Sequence, residues 1–333
     1  MAIFNNVKAI TNALDIAMNK YDNVICFGED VGFEGGVFRA TQGLQKKYGV
    51  KRCFNSPISE AMLAGVGLGM AISGLKPVVE LQFLGLGLTS LQNIITQIAR
   101  IRNRSRGKYT ASMVIRTPFG GGIRALEHHS EALEAIFCHI PGIKVICPST
   151  PYDMKGLLLS AIESPDPIIF FEPTKLYRAF KQDIPENYYT IPIGEAYKVQ
   201  EGKEITIVTY GTQVVDSQKA IKMLQEKYPN VSVDLIDLRT IKPWDKKMVI
   251  ESVKKTGKLL VVHEACKSFS VSAEIIASIN EECFSFLKAP MQRCTGFDVI
   301  VPYDRGEIYH QVTPEKIYDK LILLTNYKME DEK

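Results

Sequence analysis

Short apolar runs alternate with stretches of helical period along nearly the whole chain. The runs at residues 24–27, 77–83, 112–116, 144–147 and 167–171 read as strands, and the segments 90–104, 129–139 and 152–163 between them read as helices. Apolar strands alternating with helices predict a mainly parallel sheet covered on both faces. Residues 181–192 (KQDIPENYYTIP) interrupt the pattern: they are polar, contain two prolines and have no period, which is the signature of a linker. The alternation then restarts, with strands expected at 205–210, 231–238, 259–263 and 291–295, and helices at 212–228, 245–256 and 271–284. The expected architecture is two α/β domains, 1–180 and 193–333, joined by the linker 181–192.

Composition narrows the class. Of 333 residues, 46% are hydrophobic and 23% charged, which excludes wholesale disorder and fibrous repeats. A chain of this length buries a large core without disulfides or metals. The longest nearly uncharged apolar stretch, 61–75, is too short and too glycine-rich to span a bilayer. The first twenty residues carry Lys8, Asp15 and Lys20 without a continuous apolar segment, so no secretory signal is expected. With 40 Lys+Arg against 37 Asp+Glu the net charge is +3, which favours neither nucleic acid nor an anionic membrane as partner. The seven cysteines form no CxxC pair and are odd in number, as expected of a reduced, cytoplasmic protein. His263, Glu264 and Cys266 form no zinc site by spacing, because no second ligand pair accompanies them.

Three local features invite chemistry. Gly65, Gly67 and Gly69 resemble half of a dinucleotide fingerprint, but the third spacing is wrong and no strand comes immediately before. They read better as a helix whose small residues pack close to a neighbouring backbone. Gly120, Gly121 and Gly122 follow an expected strand, where α/β sheets place ligand loops. The basic run Arg100, Arg102, Arg104, Arg106 and Lys108 reads as a solvated helix end favoured by the macrodipole, with a phosphate-facing role as the alternative.

The wording of specific segments goes further. In order, the chain carries Gly28-Glu29-Asp30-Val31, Gly35-Gly36-Val37-Phe38, Ser56-Pro57-Ile58-Ser59-Glu60-Ala61, Gly74-Leu75-Lys76-Pro77, Glu80-Leu81-Gln82-Phe83 and His129-Ser130. Pro141-Gly142-Ile143-Lys144-Val145, Pro148-Ser149-Thr150-Pro151, Leu176-Tyr177-Arg178, Tyr210-Gly211, Asp237-Leu238-Arg239-Thr240, Pro243 and Glu264-Ala265 follow. The ordered set resembles the beta subunits of the thiamine-diphosphate-dependent 2-oxoacid dehydrogenases over essentially the whole chain. Segments 100–107 and 127–134 are most similar to the bacterial, mollicute-like pyruvate dehydrogenase branch.

That resemblance implies an N-terminal pyrimidine-binding domain and a transketolase-type C-terminal domain. It implies an α2β2 heterotetramer in which the alpha subunit carries the GDG…N segment for magnesium and the diphosphate; no such segment occurs here. Glu60 matches the family glutamate that hydrogen-bonds the pyrimidine ring nitrogen, after which the cofactor's own amino group can take the thiazolium proton. Read without the resemblance, Glu60 is a first-turn acid beside a Ser56 or Ser59 helix cap. Ile58, Gln82 and Leu86 match the other cofactor-pocket positions, Leu86 replacing the Phe usual in relatives. His129, ten positions before His139, matches the acid–base histidine of acyl transfer to the lipoyl group; Glu131 stands where many relatives carry Gln or Asp. Many relatives also hold a monovalent cation, potassium, at positions matching Met113, Ala161, Ile162, Ser164 and Asp166. Ser164 replaces a common aspartate, and a Ser-Pro-Asp-Pro turn is the other reading.

The expected activity is oxidative decarboxylation of pyruvate with acetyl transfer to a lipoyl arm. The partners are an alpha subunit and the dihydrolipoyl acyltransferase core, docked by its subunit-binding domain on residues 193–333. The alternatives are a branched-chain 2-oxoacid enzyme and a non-catalytic docking subunit; the faulty glycine spacing disfavours an NAD-linked oxidoreductase.

Overall fold

The apolar runs become strands because both of their faces are covered. In the computed structural model, which describes residues 2–328, Val24–Gly28, Val114–Phe119 and Ile168–Pro173 are buried at every position. The chain divides into two units, Met1–Ile193 and Gly194–Lys333.

In the first unit the strands run Lys144–Ile146, Ile168–Pro173, Val114–Phe119, Lys76–Glu80, Val24–Gly28, Cys53–Asn55, all parallel. Helices Asn6–Lys20 and Pro151–Glu163 pack together on the sheet's core. Both have strong starts: Asn5 Oδ1 accepts Lys8 N–H at 3.0 Å, and Thr150 Oγ1 accepts Asp153 N–H at 3.1 Å with Pro151 at the first helical position. From Val24–Gly28 the chain moves outward to Cys53–Asn55, then returns on the other side as Lys76–Glu80. The loops leaving Val24–Gly28 and Lys76–Glu80 therefore diverge, and open a crevice at the C-terminal edge of the sheet.

Three segments differ from their sequence reading. Within 181–192, Gln182–Ile184 pairs antiparallel with Ala2–Phe4. Lys155 Nζ donates to the carbonyls of Pro185 at 2.6 Å and Glu186 at 2.9 Å, so these residues are fastened to the first unit rather than loose. Burial lowers the Lys155 ammonium to about 8, with Glu186 opposing. The expected helix 90–104 is broken at Gln97 into short pieces, Leu91–Thr96, Ile98–Arg100 and Ile101–Arg104. Gly142 lies so close there, at φ +94°, that a Cβ on it would meet the Ala99 carbonyl oxygen at 2.0 Å. The expected helix 129–139 keeps only Glu134–Cys138, and His129 ends a short 3-10 turn, Glu127–His129.

Gly67 lies in helix Glu60–Ile72, and a Cβ there would meet Met113 Cε at 2.7 Å and Val79 Cγ2 at 3.0 Å. The glycine run thus lies on a helix, but Gly67 packs against side chains rather than the neighbouring backbone expected, and Gly69 faces open space.

The second unit has strand order Gln292–Gly296, Leu259–Cys266, Ile205–Thr209, Val233–Asp237, Tyr197–Gln200, parallel except for the last. Helices Thr212–Lys227 and Pro314–Asn326 pack together over its core. Asp234 is fully buried there and accepts from Ser252 Oγ at 2.5 Å, Gly202 N–H at 3.2 Å and Lys255 Nζ at 2.9 Å. All seven cysteines are free. Among the described residues no helix is long and apolar enough to cross a membrane.

Candidate active site

The crevice gathers its side chains from the loops that leave the strands. Ser56–Glu60 follows the strand Cys53–Asn55, and Glu60 is the first residue of helix Glu60–Ile72. Its Oε2 accepts from Thr89 Oγ1 at 3.3 Å, and the same hydroxyl also reaches the Leu86 carbonyl at 3.3 Å. Thr89 thus ties Glu60 to the Leu86 segment. Ile58, two residues earlier, is 81% exposed.

A second carboxylate faces Glu60. Glu29 directly follows Val24–Gly28 and is buried, and its Oε1 has no hydrogen-bond partner among the described residues. Burial first, then the charges of Glu60 and Asp30, push its carboxyl above the ordinary value, against a hydrogen bond from Ser59 N–H. Sequence reasoning missed Glu29. The available signal was its place right after a buried strand, in the quoted Gly28-Glu29-Asp30-Val31 segment.

Gln82 and Asp30 close the crevice from its two walls, Gln82 Nε2 donating to Asp30 Oδ2 at 3.3 Å. Leu86, half-buried, opens the 3-10 turn Leu86–Ser90. Phe83 meets His129 edge-on with centroids 4.2 Å apart. Gly85 makes this possible: a Cβ on it would stand 2.4 Å from the His128 carbonyl oxygen and 2.7 Å from His128 Cα. Only a residue without a Cβ lets the two loops lie this close. His129 Nδ1 is buried and has no hydrogen-bond partner among the described residues. Burial first, then His128, lower its pKa, with Glu127 opposing, so the neutral imidazole is favoured.

A buried ion network supports these loops from below. Arg116 donates to Glu80 at 2.8 Å and to Glu172 at 2.6 and 3.1 Å, while Tyr177 O–H donates to Glu172 at 2.7 Å. Phe38 packs on Tyr177 at 4.8 Å and on Phe83 at 5.7 Å, which connects the network to the histidine's neighbour. Burial raises the Glu80 carboxyl, and Arg116 opposes that rise.

The structure thus brings Glu60, Gln82, Leu86 and His129 to one edge of the sheet. Met113, Ala161, Ile162, Ser164 and Asp166 lie elsewhere. Met113 precedes Val114–Phe119, Asp166 precedes Ile168–Pro173, and Ala161 and Ile162 end helix Pro151–Glu163, at the N-terminal edge of the strands. Among the described residues no three His, Cys, Asp or Glu side chains gather as a metal site.

Comparison with known proteins agrees with this layout. Residues 4–179 match the family described as "Transketolase, pyrimidine binding domain" and 194–317 match "Transketolase, C-terminal domain". A solved structure titled "Split gene transketolase, inactive beta4 tetramer" superposes with a TM-score of 0.75 at 18% identity, covering 98% of this chain and 100% of that one. The class is therefore a tandem of transketolase-type domains.

Among curated relatives, the "Pyruvate dehydrogenase E1 component subunit beta" of Mycoplasma genitalium is 57% identical over 95% of this chain and 96% of its own length. Those of Acholeplasma laidlawii and Bacillus subtilis are 54% and 44% identical, over 95% and 92% of this chain and 96% and 94% of their own lengths. The chain belongs to the family of pyruvate dehydrogenase E1 component beta subunits.

Proposed function

We propose that the chain is the beta subunit of a pyruvate dehydrogenase first component, cytoplasmic and active as an α2β2 heterotetramer with an alpha subunit. The observation that carries this is the convergence of Glu60 and His129 on one strand-end crevice, in a chain 57% identical to a pyruvate dehydrogenase beta subunit over nearly its full length. The reaction is oxidative decarboxylation of pyruvate and transfer of the acetyl group to a lipoyl arm.

The carbanion-stabilising chemistry is that of bound thiamine diphosphate. The donor set here fits its aminopyrimidine end. Glu60 presents a half-buried carboxyl whose side-chain partner, the Thr89 hydroxyl, is at a long 3.3 Å, leaving capacity for a ring nitrogen. Gln82 supplies a polar side chain, and Leu86 and Ile58 supply apolar contact. The magnesium and diphosphate contacts belong to the alpha subunit in this reading. His129, held neutral and braced by Phe83, accepts and returns a proton during acyl transfer. The second unit, Gly194–Lys333, docks the acyltransferase's subunit-binding domain, which raises the local concentration of the swinging lipoyl arm.

The test is co-expression with the alpha subunit and turnover assays with pyruvate and 2-oxoisovalerate. Preferential turnover of pyruvate is expected. Preference for 2-oxoisovalerate would reassign the chain to the branched-chain enzyme, and an assembled but inactive tetramer would leave only a docking role.

A further inference from the structure

The potassium site implied by the family resemblance does not fit the residues present. Each of the five backbone carbonyls that would ligate the ion already accepts a hydrogen bond from the protein. Met113 O takes Ile168 N–H at 3.0 Å, and Ala161 O takes Ser164 N–H at 3.2 Å. Ile162 O takes Lys76 Nζ at 3.0 Å, Ser164 O takes Ser112 Oγ at 2.8 Å, and Asp166 O takes Ser164 Oγ at 3.0 Å.

Fixed charge points the same way. Lys144 Nζ donates to Ser164 Oγ at 3.2 Å and lies 3.8 Å from Asp166 Oδ2, while Arg102 Nε pairs with Asp166 Oδ1 at 2.7 Å. The neighbouring carboxylate, Glu163, is engaged by Lys20, Tyr21 and Tyr188. Two cations, Arg102 and Lys144, therefore draw on the carboxylate of Asp166, while a third, Lys76, sits on the Ile162 carbonyl. A hard cation held by oxygens gains most where anionic ligands outnumber fixed cations. Here it would meet like charges well within a Debye length. Ser164 contributes to this balance: its neutral hydroxyl receives the Lys144 ammonium and passes a hydrogen bond to Asp166 O within the same turn.

We propose that this chain closes the turn after helix Pro151–Glu163 with its own ammonium groups, Lys76 and Lys144, and requires no monovalent cation there. The two lysines are positioning residues at the N-terminal edge of the sheet: Lys76 holds the Ile162 carbonyl and Lys144 holds the Ser164 hydroxyl beside Asp166. The inference concerns folding at the opposite edge of the sheet and does not depend on the proposed activity.

The experiment is thermal unfolding of the heterotetramer as KCl replaces choline chloride at a constant ionic strength of about 0.15 M. The wild-type Tm is expected to stay flat across the series. A saturable rise of more than about 2 °C with potassium would overturn the proposal. Lys76→Met, which strips the donor from Ile162 O, is expected to lower Tm by roughly 2–4 °C in either salt. A Lys76→Met protein with wild-type Tm would equally overturn it, because the ammonium would then not be holding the turn.

Discussion

Two buried carboxylates, one in each unit, sit in similarly dry surroundings and are pushed in opposite directions. Glu29, in the strand-end crevice of the first unit, faces other acids and keeps one oxygen without a partner among the described residues, so its carboxyl is held up. Asp234, on a central strand of the second unit, is surrounded by donors. Burial alone would raise it, but the Ser252 and Lys255 hydrogen bonds and the charges of Lys198 and Lys255 outweigh that and hold it down. Burial sets the cost of a charge, and the partners decide its sign. A satisfied acid is a structural fixture; an acid left short of donors marks a place built to receive something.

The largest effect should come from within the crevice. Glu60→Gln is expected to reduce pyruvate decarboxylation, measured with an artificial electron acceptor, by about 10²–10⁴-fold while the tetramer and its Tm survive. Near-normal turnover would remove Glu60 from the chemistry and weaken the contrast with the second unit. Next comes Gly85→Ala. The new Cβ must displace the His128 backbone, and with it His129, by an ångström or so. Loss of about 10²-fold in acetyl transfer to lipoyl domains is expected, more than in decarboxylation. If both steps fall together, His129 is not specific to the transfer.

The fixture should behave differently. Asp234→Asn is expected to cost about 1–3 kcal/mol of stability at neutral pH by chemical denaturation, with turnover per folded tetramer unchanged. Because the folded-state pKa of Asp234 is depressed, its contribution is present above the unfolded carboxyl value and disappears only as pH falls through the lower folded value. The gap between variant and wild type should therefore persist into distinctly acid solution.

Smaller still is Leu86→Phe, which adds an aromatic contact at the proposed pyrimidine pocket. Thiamine diphosphate should bind up to about tenfold tighter in titrations of the tetramer. Unchanged or weaker binding would place Leu86 in the core instead.

The smallest effect carries the opposite sign to Asp234→Asn. Glu29 has a raised folded-state pKa, so its contribution is most favourable below the unfolded carboxyl value and is lost as pH rises through the folded value. Glu29→Gln should therefore raise Tm slightly at pH 7. The gain should fade as pH falls toward the ordinary carboxyl range, and a gain that stays constant with pH would deny the carboxylate its cost.

What was legible in the sequence follows from the range of the forces involved. Strands such as Val24–Gly28 and Ile168–Pro173 announce themselves because a strand buried on both faces must be apolar throughout. Helices Asn6–Lys20 and Pro314–Asn326 lie outside the segments the apolar pattern predicts, although they carry local start signals. Asn5 and Thr313 both cap them, and Pro314 occupies the first turn. The break at Gln97 and the loss of helix before Glu134 are not readable locally; near them Gly142 lies against Ala99 and Gly85 against His128, close approaches between residues distant in sequence. Of the proposed site, Glu60 and His129 are legible only through the wording of their segments. Glu29 is not, because its shortage of donors lies in what surrounds it, and no single segment spells that out.

The pairing of Ala2–Phe4 with Gln182–Ile184 bears on how the protein is made. The partner of Ala2–Phe4 lies some 180 residues later in the chain, so this two-stranded sheet cannot form until most of the first unit has been synthesised. At about 5–20 residues per second, Ala2–Phe4 waits roughly 10–40 s for that partner. Through that interval helix Asn6–Lys20 also lacks the surface of Pro151–Glu163 on which it comes to rest. Ala2–Phe4 and the face of helix Asn6–Lys20 that rests on Pro151–Glu163 therefore find their partners only late in the synthesis of the first unit.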